Sequence, residues 1–442
     1  MNIKRIISFA AAAVLCLAFS GCSAEDEPGL GGLLSAPKMS EQQKQIHEAL
    51  IAAVGNDITL KYPANGDNRS AFVIENIDEE DTDEAIVFYK YTNSSLDEGT
   101  VRVNILDQDS QGNWFSAVDF AGSGAEVDRI FTASLYKDAP PSLVIGYSTL
   151  SANENQFQVY SYSGENIDTV YTDTYSLLTV ADLNSDGVYD IFKTAVDPKT
   201  GAETGAVLER EQSGFKAHAN IEMSGYTSSY ALCRQGKTQG GKQALFVDSL
   251  KSDGNLQTDI ITEGYGTYQN PSVIFKDRIL KNTTRPSGYL TADVEGDGIY
   301  EIPKTSIMAG YDDKSENPQL LTAWQSYDDS FSLKEKFRGY YMLNDGYFLN
   351  FTEKMQSGVT VKIDEKTGES VYYKLNGTAE NSKTELFRIN VVNSSEYENY
   401  RALGYMLITE QGQLKYVVKR TGTNEDLCLK LDEIKENFYV IN

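Results

Sequence analysis

Asp182-Leu183-Asn184-Ser185-Asp186-Gly187-Val188-Tyr189-Asp190 is the stretch that decides the fold, together with its later copy Asp293-Val294-Glu295-Gly296-Asp297-Gly298-Ile299-Tyr300-Glu301. Both stretches place side-chain oxygens at positions 1, 3, 5 and 9 and a glycine at position 6, and both run directly into an apolar segment. This spacing is typical of a Ca²⁺-binding loop, in which the glycine permits the sharp turn that brings the oxygens together.

We expect each loop to bind one structural Ca²⁺ ion through five oxygen ligands. The predicted ligands are the side chains of Asp182, Asn184, Asp186 and Asp190 with the Val188 carbonyl, and the side chains of Asp293, Glu295, Asp297 and Glu301 with the Ile299 carbonyl. Hard oxygen donors favour Ca²⁺ over Zn²⁺. Strands instead of helices flank both loops, and Lys193 or Lys304 stands where an EF-hand has its bidentate glutamate. The alternative is a polar turn, since Asp, Asn and Gly are good turn formers.

The two loops occupy equivalent places in a longer internal repeat of two apolar strands joined by a polar turn. The residue before the second strand marks each copy, and the steps between these markers are 58, 48, 53 and 58 residues: Glu84, Ser142, Asp190, Gln243 and Glu301. Two weaker copies have approximate markers at Gly358 and Gln413. This period, with about four short strands per unit, predicts an all-β fold, a β-propeller of four-stranded blades with five clear repeats and up to seven. A pair of β-sandwiches and a β-solenoid are the alternatives.

The first repeat carries a weakened version of the acidic loop. It has Asn76, Asp78, Glu80 and Glu84 at the ligand positions, but Asp81 replaces the glycine. We therefore treat it as a weak or lost metal site.

The acidic loops resemble those of FG-GAP or VCBS-type β-propellers, the family that includes the head domains of integrin α-chains. The resemblance covers residues 57–340, although the Phe-Gly and Gly-Ala-Pro elements of that family are not evident. It implies a propeller with Ca²⁺ loops and a binding role, and it supplies no catalytic residues. The order of segments along the chain also resembles that of uncharacterised surface lipoproteins of Gram-positive bacteria.

The N-terminus predicts export and lipid attachment. Lys4 and Arg5 precede a short apolar run, and Phe19-Ser20-Gly21-Cys22 resembles a lipobox. We expect a lipoprotein signal peptide at 1–21, lipidation at Cys22, a tether at 22–39, a helix at 40–56 and propeller repeats at 57–340. Residues 341–442 are either a small α+β region or the final blades. The protein would then be held on the extracytoplasmic face of the membrane by its lipid alone. Of the remaining cysteines, Cys233 and Cys428 are either free or form one bridge.

Composition narrows the functional classes. A formal charge of −25 at pH 7 argues against nucleic acid as a partner, since nucleic acid needs basic surfaces. Two histidines in the whole chain leave little room for histidine-based catalysis. We expect a non-enzymatic binding protein whose propeller presents a face to an unknown protein or glycan. A polysaccharide hydrolase or lyase outside the cytoplasm and a structural envelope lipoprotein without a discrete ligand are the alternatives. Trp114, Trp324 and the Tyr340-Tyr341 pair are candidates for sugar contacts, although such residues more often pack within or between blades.

Overall fold

The computed structural model describes residues 39–92, 99–149, 155–164, 166–211, 214–264, 266–422 and 427–441. The predicted signal peptide, Cys22 and all of the tether except residue 39 lie outside these ranges. Strands hold 51% of the residues and helices 10%, which confirms the all-β class. In the described part of the chain the strands form six antiparallel sheets, which we number as blades 1 to 6 in chain order.

The first three blades each use consecutive segments of the chain. Blade 1 contains β1 (Ile58–Lys61), β2 (Phe72–Glu75), β3 (Glu84–Tyr91), β4 (Arg102–Gln108) and β5 (Trp114–Ala121). Blade 2 contains β6 (Glu126–Ala133), β7 (Ser142–Ser148), β8 (Asn155–Tyr162) and β9 (Ile167–Tyr175). Blade 3 contains β10 (Leu177–Ala181), β11 (Asp190–Val196), β12 (Glu203–Glu211) and β13 (Gly214–Glu222).

The last three blades are less regular, because blade 5 recruits a strand from the end of the chain. Blade 4 contains β14 (Thr227–Lys237), β15 (Gln243–Lys251), β16 (Asn255–Gly264), β17 (Thr267–Gln269) and β18 (Arg285–Pro286). Blade 5 contains β19 (Glu301–Ile307), β20 (Leu320–Tyr327), β21 (Leu333–Met342), β22 (Tyr347–Asn350) and β28 (Phe438–Val440). Blade 6 contains β23 (Val359–Ile363), β24 (Ser370–Lys374), β25 (Glu385–Asn393), β26 (Met406–Gln411) and β27 (Leu414–Arg420).

Six helices lie between or beside the sheets in the described residues. They are α1 (Glu41–Val54), α2 (Pro271–Ile274), α3 (Leu280–Thr283), α4 (Glu353–Gly358), α5 (Tyr397–Ala402) and α6 (Leu431–Glu436). The helix predicted near residue 40 is therefore confirmed as α1. Its predicted capping box is present, since the Ser40 hydroxyl accepts the Gln43 N–H at 3.1 Å and the Gln43 side chain accepts the Ser40 N–H at 3.1 Å.

The five clear repeat markers coincide with strand starts. Each is the first residue of the strand that follows the polar turn, in β3, β7, β11, β15 and β19. In blade 5 the preceding strand is reduced to a single bridge between Ala292 and Glu301. Of the two weaker markers, Gly358 ends α4 directly before β23 and Gln413 lies in the β26–β27 turn, and the strands beside both belong to blade 6. The two weaker repeats therefore form one blade, blade 6, instead of two.

Apolar side chains between consecutive blades form the core. The strand after each marker has continuous apolar runs because its successive residues point to opposite neighbours. Pairs packed across the five consecutive interfaces are Ile86 with Leu143, Val144 with Ile191, Phe192 with Leu245, Phe246 with Ile302, and Tyr340 with Tyr372. The blades stack face to face in chain order, and the predicted β-propeller architecture is confirmed.

The outer faces of the first and last blades are covered by helices. Ile46 and Leu50 of α1 are fully buried against blade 1, and Tyr397 and Tyr400 of α5 pack on blade 6. Within the described ranges, no hydrophobic cluster joins blade 6 to blade 1. None of the helices in those ranges has the length and apolarity needed to cross a bilayer.

Candidate metal sites and ligand cleft

The first acidic loop adopts the turn that its sequence predicts. The two Asp182 carboxylate oxygens accept the N–H groups of Asp186 at 3.2 Å and Gly187 at 3.1 Å, and Asp186 Oδ1 accepts the N–H of Val188 at 2.8 Å. Gly187 has a φ of 81°, a conformation that favours glycine. These bonds hold the loop backbone in place.

Four of the five predicted ligands in this loop meet at one surface. Asn184, Asp186, Val188 and Asp190 line a cleft of about 780 Å³. Asp190 is only 6% exposed, and Tyr268 donates its hydroxyl to Asp190 Oδ2 at 3.1 Å. Burial raises the pKa of Asp190 to about 7, and the nearby acidic groups add to the shift while the Tyr268 hydrogen bond opposes it. In the described part of the chain, Asp182, Asp186 and Asp190 do not bring three carboxylate oxygens within 4.8 Å of one another, so Ca²⁺ binding here stays a prediction.

The second loop forms the same turn, but a lysine lies among its carboxylates. Asp293 accepts the N–H groups of Gly296 and Gly298, each at 2.8 Å. The Lys336 ammonium lies 2.5 Å from Glu295, 3.1 Å from Glu301 and 3.3 Å from Asp297, all measured to carboxylate oxygens.

The lysine changes how well this loop suits a metal. Partial burial alone lowers the pKa of Lys336, but its hydrogen bonds to Glu295 and Glu301 raise it overall, so the ammonium stays charged. A Ca²⁺ ion bound through Glu295, Asp297 and Glu301 would have to displace that charge. The second loop therefore fits a metal less well than the first, although no observation here tests Ca²⁺ itself.

A β-bulge at one register explains where the lysine comes from. In blades 1, 2, 3 and 5, the strand that begins with the marker is followed by two further strands, and the second of these is β5, β9, β13 or β21. This strand contains one extra residue that has no pairing partner, at the same register relative to the marker in all four blades. We call this the bulge position. Its occupants are Ala117, Val170, His218 and Lys336.

The bulge position lies beside the marker residue. Lys336 contacts the marker Glu301, and His218 Nδ1 lies 3.1 Å from Glu209 on the strand next to the marker Asp190. Blade 2 has Ser142 as its marker and Val170 at the bulge position, so it has no charge to balance. The sequence analysis missed this position because a bulge belongs to strand pairing and leaves no local spacing signal.

A second cleft, of about 570 Å³, lies along the first strands of blades 2, 3 and 4 and the segment 65–69. We call it the central cleft. Arg69, Arg129 and Arg234 line it, together with the rings of Phe131 and Tyr230.

The arginines of the central cleft are held differently. Arg129 donates Nε to Asp128 at 2.7 Å and Nη1 to the Leu178 carbonyl at 2.9 Å, which fixes its guanidinium. Arg234 and Asp67 form an exposed ion pair at 3.1 Å. Such a pair contributes little stability, since surface ion pairs are worth about 0–1 kcal/mol.

Other residues singled out in the sequence have packing roles. Trp324 is fully buried and Tyr340 is 2% exposed, so neither presents a ring to a sugar. Cys233 and Cys428 are both free thiols. The Cys428 thiol donates to the carbonyls of Leu386 and Gly422, each at 3.2 Å.

Comparison with known proteins gives no family and only weak structural similarity. No protein-family model and no curated protein sequence matches the chain. The solved structures that match include three with TM-scores of 0.30 or below. The exotype rhamnogalacturonan lyase YesX has 10% identity and a TM-score of 0.29, over 70% of this chain and 60% of the lyase. The Pseudomonas aeruginosa periplasmic gluconolactonase PpgL has 12% identity and a TM-score of 0.30, over 81% of this chain and 92% of that one. The Pseudomonas aeruginosa PilY1 C-terminal domain has 10% identity and a TM-score of 0.30, over 78% and 93%.

These comparisons correct one expectation and leave another open. The prediction that the chain is not an enzyme is wrong as an inference from its architecture, because the matching structures include a lyase and a lactonase. At this level of similarity their activities say nothing about the chemistry of this chain. The FG-GAP or VCBS resemblance is not supported by a family match and stays a prediction.

Proposed function

We propose that the protein is a lipid-anchored extracytoplasmic protein that binds an acidic glycan in the central cleft. The observation that carries this proposal is the charge of the cleft. Three arginines, Arg69, Arg129 and Arg234, and one carboxylate, Asp67, line one cleft of a chain whose formal charge is −25. Positively charged side chains gathered in one cleft of an otherwise acidic protein attract anionic ligands.

The shape and chemistry of the cleft favour a sugar acid over a simple ion. A guanidinium presents a planar fork of donors that matches a carboxylate, and Arg129 is already oriented by its bonds to Asp128 and Leu178. The partly buried rings of Phe131 and Tyr230 supply apolar walls for the sugar faces. A volume of about 570 Å³ lies within the usual range of ligand sites.

The proposal includes the predicted anchor and the predicted metal. Lipid on Cys22 would hold the propeller at the membrane through the tether at 22–39, with no other membrane contact. Ca²⁺ in the loop from Asp182 to Asp190 would neutralise its carboxylates and stabilise blade 3. Membership of the FG-GAP or VCBS propellers, or of the Gram-positive surface lipoproteins, belongs to the same proposal.

The test is a binding titration with oligo-uronates and with neutral oligosaccharides of the same length. We expect the wild type to bind only the acidic series. A double variant, Arg69→Met with Arg234→Met, should bind at least about tenfold more weakly, since a charge-assisted contact is worth about 1.5–3 kcal/mol. Both side chains are exposed, so the fold should tolerate the change. Arg338→Met is the matched control, because Arg338 pairs with Glu335 outside the cleft.

Equal binding of acidic and neutral sugars, or full binding by the double variant, would contradict the proposal. Absence of binding to every acidic glycan would favour the structural envelope protein predicted as an alternative. The same samples are analysed for cleaved products. Turnover would move the protein to the hydrolase or lyase class while leaving the cleft as its site.

A further inference from the structure

Blade 1 contains a cluster of three carboxylates with which no described lysine, arginine or histidine forms an ion pair. Asp78, Glu84 and Asp107 each place one carboxylate oxygen within 4.8 Å of the other two. Asp78 belongs to the weakened acidic loop, Glu84 is the marker that begins β3, and Asp107 lies on the neighbouring strand β4. The ligand spacing of the loop does not include Asp107, so the sequence alone does not suggest this group.

Glu84 brings to this cluster a buried carboxylate with one unpartnered oxygen. Its side chain is 0% exposed. Its Oε2 accepts the N–H of Ile77 at 2.7 Å, whereas its Oε1 has no hydrogen-bond partner. A buried carboxylate oxygen without a partner is unfavourable, because it has lost its hydrating water and gained no donor in return. The position therefore calls for a positive charge.

Blade 5 shows what such a charge does at the equivalent place. The marker Glu301 has the same burial as Glu84, and its Oε2 likewise accepts a backbone N–H, that of Val294, at 3.1 Å. The other oxygen of Glu301 contacts the Lys336 ammonium at 3.1 Å. Glu84 thus shares the burial and the backbone hydrogen bond of Glu301 but lacks its cation.

The strand registers give the residues that differ. Ser326 lies opposite the marker in blade 5, and Asp107 takes this place in blade 1. Lys336 occupies the bulge position in blade 5, and Ala117 occupies it in blade 1. Blade 1 has therefore lost the lysine and gained a carboxylate.

No cation among the residues that the structure describes fills this gap. In the described ranges, Asp78, Glu84 and Asp107 make no ion pair with a lysine, arginine or histidine. The internal segments outside those ranges contain neither lysine nor arginine in the sequence.

We propose that blade 1 binds one divalent cation through Asp78, Glu84 and Asp107, at the place that the Lys336 ammonium holds in blade 5. Three carboxylates are hard oxygen donors, which select Ca²⁺, Mg²⁺ or Mn²⁺ over softer metals. The ion gives Glu84 Oε1 its missing partner and joins the loop before β3 to strand β4. The Asn76 side chain is used within the loop, where its amide donates to the Glu80 carbonyl and its oxygen accepts the Glu79 N–H at 2.7 Å.

The test counts metal sites by calorimetric titration of the purified protein with Ca²⁺, and with Mg²⁺ and Mn²⁺ in parallel. Glu84→Gln keeps the shape and removes the charge, so it should bind one ion fewer than the wild type or bind that ion at least about tenfold more weakly. Ala117→Lys should also lose one site, because its ammonium takes the place of the ion. Ala117 is partly exposed, which leaves a path for the longer side chain.

Two further measurements separate metal binding from misfolding. Glu369→Gln is the matched control and should keep the wild-type number of sites, because Glu369 is a similarly buried carboxylate that pairs with Arg388 at 2.8 Å outside the acidic loops. In chelator, Ala117→Lys should melt above Glu84→Gln, since it retains all three carboxylates together with a counter-charge. The inference is overturned if no divalent cation binds the wild type, or if Glu84→Gln and Ala117→Lys both bind as many ions as the wild type.

Discussion

Replacing Lys336 with methionine should destabilise the protein by about 3 kcal/mol. At an effective dielectric constant of about 20, two charges 3.1 Å apart attract by roughly 5 kcal/mol, and desolvation of the ammonium offsets part of this. Loss of one partner of a buried ion pair costs about 3–5 kcal/mol. Because the Lys336 side chain is 27% exposed, we expect the loss of stability to lie at the lower end of this range. Methionine keeps the apolar stem beside the Phe337 ring, so the loss reports the charge. The assay is urea denaturation in chelator.

Lys334→Met is the control on the same strand. Lys334 is 60% exposed and its ammonium lies 3.5 Å from Asp328, so its loss should cost less than about 1 kcal/mol. A second readout follows from the comparison with blade 1. Without its lysine, the carboxylate group of Glu295, Asp297 and Glu301 should become a Ca²⁺ site, and Ca²⁺ should raise the melting temperature of Lys336→Met more than that of the wild type. If Lys336→Met is as stable as Lys334→Met in chelator, the account of this group as a charge-balanced site is wrong.

Three further predictions concern stability. Arg285→Met should cost about 3–5 kcal/mol in urea denaturation, because the fully buried guanidinium lies 2.8 Å from the equally buried Asp248 and its loss leaves that charge uncompensated. Burial by itself raises the pKa of Asp128, but the Arg129 guanidinium and hydrogen bonds from neighbouring side chains hold it below the usual 3.8. Because the pKa of Asp128 is lower in the folded than in the unfolded protein, its ionised form stabilises the fold fully above pH 3.8, and this stabilisation is lost as the pH falls through the folded pKa. The difference in the free energy of unfolding between the wild type and Asp128→Asn should therefore stay constant from about pH 7 to 5 and shrink on further acidification. Ser40→Ala should lower the free energy of unfolding of the α1 region by about 1 kcal/mol, seen as faster amide exchange in that helix.

The sequence predicted the features whose cause is local. A capping box spans four consecutive residues, so Ser40 and Gln43 predict the start of α1 without any tertiary information. A polar turn followed by an apolar strand is equally local, and for this reason the five markers from Glu84 to Glu301 all fall at strand starts. Regular marker steps then predict the blades, because each blade repeats the same order of strand and turn.

The features that depend on strand pairing could not be predicted in this way. Lys336 and Glu301 are 35 residues apart, and only the register of β19, β20 and β21 with its bulge brings them together. The interpretation of Gln413 as a further repeat fails for a related reason. The β26–β27 hairpin adds its strands to the sheet of β25 instead of starting a new one, and a hairpin turn has the same sequence signal in either case.

The residue at the bulge position explains why the same polar turn can carry different side chains in different blades. The backbone bonds of the turn recur in blades 3 and 5, where Asp182 and Asp293 both accept N–H groups from their own loops. The charge that accumulates beside the marker is balanced separately in each blade, by a lysine in blade 5 and, as we propose, by a metal ion in blade 1. Blade 2 avoids the charge altogether with Ser142 and Val170. Because the turn of blade 5 holds a lysine among its carboxylates, metal binding is, in this proposal, one of two means of neutralising a structural turn. The ligand is then better sought at the arginines of the central cleft than at the acidic loops.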